Sequence, residues 1–285
     1  MSSPSEIPLE MVSTAKAHGG IQAVYRHLSA ETKTVMTFAV FVPPHSDGQT
    51  LPVLWYLSGL TCTHANCMDK GEYRRLAAEL GLIIVLPDTS PRGAQVPDEK
   101  ENWQFGQGAG FYLDATQPPY AENYRMYSYI VQELPAIIAR NFPADMTRQG
   151  ITGHSMGGHG ALTIALKNPS VFRSASAFAP IVKPSQAGWS KPALEKYLGH
   201  DQVQWRQYDT CLLLEDGHRF PEFLVDQGAA DSFLESGLMP ELLVEAAKRA
   251  DQKLVLNMRE GYDHSYNFIS SFMDEHLRWH AARLK

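Results

Sequence analysis

Cysteine is scarce in this chain of 285 residues, which holds only Cys62, Cys67 and Cys211. No two of them form a C-x-x-C pair. So sparse and odd a set excludes a disulfide framework or a clustered zinc site, and reads as reduced thiols in a cytoplasmic protein. Long apolar runs are missing too. Stretches such as Leu82-Ile83-Ile84-Val85-Leu86 fall far short of the roughly 18 residues of a membrane span, so no membrane association is expected. The amino terminus, MSSPSEIPLEM, lacks the basic start and apolar core of a secretory signal. Positive charge is also short. Lys and Arg total 25 against 31 Asp and Glu, a net charge of −6. That argues against a nucleic-acid partner, which calls for a basic face. A small anionic substrate held by a few local cations stays possible. No internal repeat, low-complexity tract or linker interrupts the chain, so a single domain over residues 1–285 is expected.

What is present is an alternation of apolar strands and amphipathic helices. MTFAVFVPP (Met36–Pro44), LPVLWYLSGL (Leu51–Leu60) and LIIVLPD (Leu82–Asp88) read as strands, the last two buried on both faces. DKGEYRRLAAELG (Asp69–Gly81) reads as a helix with a glycine just past its end. Thr89 to about Asn123 forms a long loop segment rich in Gly, Pro and aromatics, and loops of that length are usually functional. YRMYSYIVQELPAIIARNF predicts a helix kinked at Pro135. RSASAFAP, EFLVDQG and KLVLNMREG supply later strands, and ISSFMDEHLRWHAARL closes the chain as a helix. The pattern predicts an α/β fold. Its central sheet is mostly parallel and flanked by helices on both faces, with the functional site at the carboxyl ends of the strands.

Gly153-His154-Ser155-Met156-Gly157 fits G-x-S-x-G. The motif alone is weak, but here a strand leads in and an Ala/Leu-rich helix leads out, as a nucleophile elbow requires. A serine hydroxyl needs a base to become nucleophilic. On this fold the partners follow in the order Ser, Asp/Glu, His. His264 lies just past the last strand, where that histidine belongs. His276 and His280 fall in the closing helix and are expected on the surface. His154 and His159 are too near in sequence to reach the hydroxyl. For the carboxylate the pattern leaves Asp226 and Asp231 open, with Asp263 beside His264 a further neighbour. The oxyanion needs two N–H donors. Met156 supplies one, and Leu60 or Thr61 in LSGLTCT the other.

LSGLTCT, PDTSPRG, GAGFYLDAT, GHSMGGHGAL, DQGAADSFL and EGYDHSYNFI together resemble the S-formylglutathione hydrolase (esterase D) family across nearly the whole chain. The resemblance implies an α/β-hydrolase that cleaves S-formylglutathione to formate and glutathione, and short carboxylic esters, with no cofactor or metal. It implies a catalytic Ser155, Asp231 and His264, oxyanion donors at Leu60 and Met156, and a homodimer. One departure is Ala229-Ala230, where relatives frequently carry Lys-Asp. Trp103, Phe105, Phe111 and Tyr112 are candidate pocket aromatics. Cys62, beside the oxyanion loop, reads either as a thiol in the pocket or as a small buried residue. Arg92 reads either as a cation for the substrate or as a salt-bridge partner. An acyltransferase on the same fold is the rival enzyme class, and a non-catalytic binding module the rival outside enzymes.

Overall fold

The computed structural model describes residues 9–99 and 101–285. Among the described residues, all nine strands join one sheet in the order β1-β2-β3-β5-β4-β6-β7-β8-β9. They are β1 Glu10–Ala17, β2 Gly20–Leu28, β3 Val35–Val42, β4 Leu51–Leu57, β5 Ile83–Pro87, β6 Ala144–Gly153, β7 Phe172–Phe178, β8 Phe223–Gly228 and β9 Leu254–Arg259. From β5 to β9 every pairing is parallel, while β1, β2 and β3 run antiparallel to their neighbours. The centre of the sheet, β4 and β5, is wholly buried, which is why those segments read as uninterrupted apolar runs. The amino-terminal β1 is almost entirely exposed and mixes polar with apolar residues, so it carries no strand alternation to read.

Two local departures have clear causes. The segment Asp69–Gly81 is not one helix. It divides into His64–Lys70 and Arg74–Leu80, with Glu72 between them at φ 53°. Thr63 caps the first piece through a reciprocal capping box with Asn66, a start signal that lies upstream of the predicted one. The proline-containing helix is continuous but passes through a π turn at Tyr129–Glu133 before Leu134–Asn141. In the wider turn Leu134 N–H reaches back to Tyr129 O, and Pro135, which has no N–H to donate, falls in the first turn of the segment that follows.

The closing helix, Tyr266–Arg283, lies across the sheet, and it corrects one expectation. His276 and His280 are fully buried. They share the helical stripe of Ile269, Met273, Leu277 and Leu284. Serines of β7 meet both nitrogens of His280 and Nδ1 of His276, while His276 Nε2 has no hydrogen-bond partner among the described residues. His280 bonds Ser174 Oγ at 2.7 Å and Ser176 Oγ at 2.8 Å, and His276 bonds Ser176 Oγ at 2.9 Å.

Candidate active site

Strand β6 ends at Gly153 and the helix Met156–Lys167 begins after only two intervening residues, His154 and Ser155. The chain reverses on Ser155, which takes φ 59° and ψ −118°. A non-glycine residue with positive φ is uncommon and strained. Here the surroundings over-determine it. His154 N–H donates to Leu57 O at 3.0 Å, and Ser155 N–H donates to Phe178 O at 2.9 Å. The glycines are needed for space. A Cβ on Gly157 would overlap the Leu57 carbonyl, and one on Gly153 would overlap the Gly157 backbone. The elbow therefore lifts the Ser155 side chain off the sheet. It also leaves the N–H of Met156, first in its helix, without an intrahelical acceptor.

His264 arrives from the turn after β9, and Asp231 from the turn after β8. Nδ1 of His264 lies 2.5 Å from Oδ2 of Asp231. The Asp231 side chain is inaccessible, while that of His264 is 20% exposed. Asp231 also accepts from Phe233 N–H at 2.8 Å and from Gln227 Nε2 at 3.2 Å. An ionised carboxylate only accepts, so Nδ1 must carry the proton. That leaves Nε2 with its lone pair free, the tautomer a general base needs.

The other two aspartates are occupied elsewhere. Asp226 receives Arg259 Nε at 2.6 Å and Asn257 Nδ2 at 2.8 Å, and lies 3.6 Å from His276. Asp263 accepts from the Ser265 backbone and hydroxyl, tying down the turn before the closing helix. Geometry thus separates three carboxylates that the strand pattern left together.

The loop after β4 runs alongside Ser155. Thr61 N–H is committed to Gly108 O at 2.9 Å, and Cys62 N–H faces Gly59 O at 3.3 Å. Leu60 N–H has no acceptor among the described residues. The loop is pinned from behind, since Cys62 O accepts from Thr89 Oγ1 at 2.6 Å and from Arg92 Nη2 at 2.9 Å. Arg92 in turn pairs with Asp88 at 2.9 Å. Arg92 is therefore a structural brace, not a pocket cation.

A pocket of about 300 Å³ joins these parts, with Ser155, His264, Leu60 and Cys62 on its wall. Burial pushes the Cys62 thiol up, which keeps it protonated. Trp103, Trp189 and Phe233 form an aromatic arc along the same wall. The Trp103 and Trp189 ring centroids lie 5.7 Å apart, Trp189 and Phe233 6.0 Å, and Phe233 stands edge-on to His264 at 5.1 Å. Trp189 and Phe233 were missed in the sequence. Phe233 left a signal, since it follows Asp231 by two residues, but Trp189 in QAGWSKP left none. Phe105 does not line the pocket. It is buried against Tyr120, edge-on at 6.3 Å, because its loop folds inward onto the Tyr120–Tyr124–Tyr197 cluster. Phe111 and Tyr112 are likewise core residues. No Lys or Arg lines this pocket among the described residues.

His154 also lines the pocket, its ring 4.5 Å from that of His264. Burial, and then the neighbouring His264, hold its imidazole well below the usual histidine range. It stays neutral and adds no positive charge where His264 would gain one.

Comparison with known proteins identifies the family of the chain. A family model described as a putative esterase matches residues 29–279. The S-formylglutathione hydrolase of Paracoccus denitrificans is 51% identical, over 96% of this chain and 98% of that one. That of Mus musculus is 48% identical, over 97% and 99%. The solved structure of an S-formylglutathione hydrolase from Agrobacterium tumefaciens superposes with a TM-score of 0.95 at 65% identity, covering 96% of this chain and 99% of that one. The chain belongs to the S-formylglutathione hydrolase family of α/β-hydrolase esterases.

Proposed function

We propose that this chain hydrolyses S-formylglutathione to formate and glutathione through an acyl-enzyme on Ser155, and cleaves short carboxylic esters in the same way. The observation that carries this reading is the 2.5 Å contact of His264 Nδ1 with Asp231, in a pocket shared with Ser155. Ser155 Oγ attacks the formyl carbon while His264 Nε2 takes its proton. Asp231 holds the ring and stabilises the imidazolium. The carbonyl oxygen, now negative, is met by the N–H groups of Leu60 and Met156, fixed donors that need no reorganisation. The tetrahedral intermediate collapses, the C–S bond breaks, and the imidazolium proton passes to the glutathione sulfur. Water then enters. His264 deprotonates it, the hydroxide attacks the formyl-serine, and formate departs as the proton returns to Ser155. The pocket wall, aromatic and without a cation, suits a small acyl group and an uncharged thioester. The glutathione carboxylates would then lie outside it. We further propose a homodimer of chains each folded as one unit.

The test compares kcat/KM for S-formylglutathione and p-nitrophenyl acetate, before and after Ser155→Ala. A large excess for the thioester, abolished by the substitution, is expected. Parity of the two substrates would reduce the protein to a general short-chain esterase. Transfer of the acyl group to an added alcohol in preference to water would make it an acyltransferase.

A further inference from the structure

Gly237 lies in the π turn Leu234–Leu238, outside the pocket. Its φ is not in the left-handed region, so its backbone makes no demand for glycine. In a helical turn, alanine would be favoured over glycine by about 1 kcal/mol. What requires the missing side chain is Trp189. A Cβ at position 237 would fall well under 3.0 Å from Nε1, Cε2 and Cζ2 of that indole. The ring lies flat on the bare backbone, and its buried N–H has no hydrogen-bond partner. Shape alone holds it. Trp103 and Phe233 flank it at 5.7 and 6.0 Å, and the open side is the pocket that holds Ser155.

We propose that Gly237 is a specificity-determining residue, which sets the largest substrate the pocket admits by letting the Trp189 indole lie back from the nucleophile. This rests on the assignment of the pocket around Ser155 as the reaction site. A packed interior yields little, so a methyl group at 237 drives the ring toward the pocket that it lines. Loss of room for one or two methylenes in an apolar pocket changes relative rates by about 10- to 200-fold.

The experiment measures kcat/KM for p-nitrophenyl acetate and p-nitrophenyl butyrate in the wild type, Gly237→Ala, Trp189→Ala and the double variant. Gly237→Ala is expected to lower the butyrate-to-acetate ratio about tenfold. Adding it to Trp189→Ala should leave the ratio of that variant unchanged, because nothing remains to be pushed. An unaltered ratio in Gly237→Ala, or an equal shift in both backgrounds, overturns the proposal. Should Gly237→Ala not fold, the Trp189→Ala ratio decides instead. A rise of at least about threefold is required, and no rise overturns the proposal. Ser155→Ala is assayed on both esters in parallel. Activity that survives it refutes the site itself, whereas lost activity with an unmoved ratio refutes only the role of Gly237.

Discussion

Ser176, His276 and Asp226 are the same three residue types as Ser155, His264 and Asp231, and they too lie within a few ångströms of one another. Ser176 Oγ meets His276 Nδ1 at 2.9 Å, and the other side of that ring points at Asp226, 3.6 Å away. Only one of the two sets has the means to react. Ser176 sits within β7, fully buried, with its oxygen shared among Thr152, His276 and His280. Asp226 is already paired with Arg259 and hydrogen-bonded by Asn257. Ser155 stands at the end of a strand in a strained conformation, on a pocket wall, beside N–H groups with no other acceptor. Chemistry comes from access, strain and unspent donors. Residue identity alone makes a rivet.

The widest gap between the two sets is expected at the serines. Ser155→Ala should lower kcat by about 10⁶, by analogy with other serine-histidine-aspartate hydrolases. Ser176→Ala should leave kcat close to the wild type. It should lower unfolding free energy by about 1–3 kcal/mol, because two imidazoles and a threonine lose a partner. Steady-state assays and urea titrations of both variants check this. A collapse of kcat in folded Ser176→Ala would erase the distinction.

The aspartates sharpen it at a smaller scale. Asp231→Asn is expected to cost about 10⁴ in kcat through the wrong histidine tautomer, with little change in stability. Asp226→Ala should do the reverse, losing about 3 kcal/mol of stability by stripping a buried pair of one partner. If both variants lost activity in proportion to stability, neither aspartate would be specific to its set.

The smallest effect is read with pH. Burial lowers the His276 imidazole despite Asp226, with Arg259 and Glu275 also nearby. Burial, with His276 and Arg283 beside it, holds His280 well below the ordinary value of 6.5. The unfolded chain therefore takes up protons first. Stability is fully present above about pH 6.5 and falls below it. Each such histidine costs about 1.4 kcal/mol per pH unit until the folded state protonates as well. His280→Gln should flatten the slope of unfolding free energy between pH 6.5 and 5 by about that amount, with kcat/KM of the folded enzyme unchanged. An unaltered slope would mean that the ring is not held neutral.

How much could be read in advance differs between these regions. The elbow was legible because Gly153 and Gly157 answer a backbone need that few other turns share. That His264 shares a pocket with Ser155 was legible from its place after the last strand. Asp231 was not separable from Asp226 by pattern, since both fell past the expected end of the strand, whereas β8 runs on to Gly228 and holds Asp226 within it. His276 and His280 were misjudged because histidine was weighed by polarity. Their spacing from Ile269, Met273 and Leu284 matches the buried stripe of the helix. Phe105 was misplaced and Trp189 passed over for one reason. Whether a loop aromatic turns inward or toward a pocket depends on contacts distant in sequence, and no local period encodes them.

Asp231 and His264 follow β8 and β9, long after the elbow has been laid down. A polypeptide halted on the ribosome before those strands could own a finished elbow and remain inert. On the proposed mechanism, turnover is thus a late signal of maturation, and appears only when the carboxyl-terminal third has taken its place.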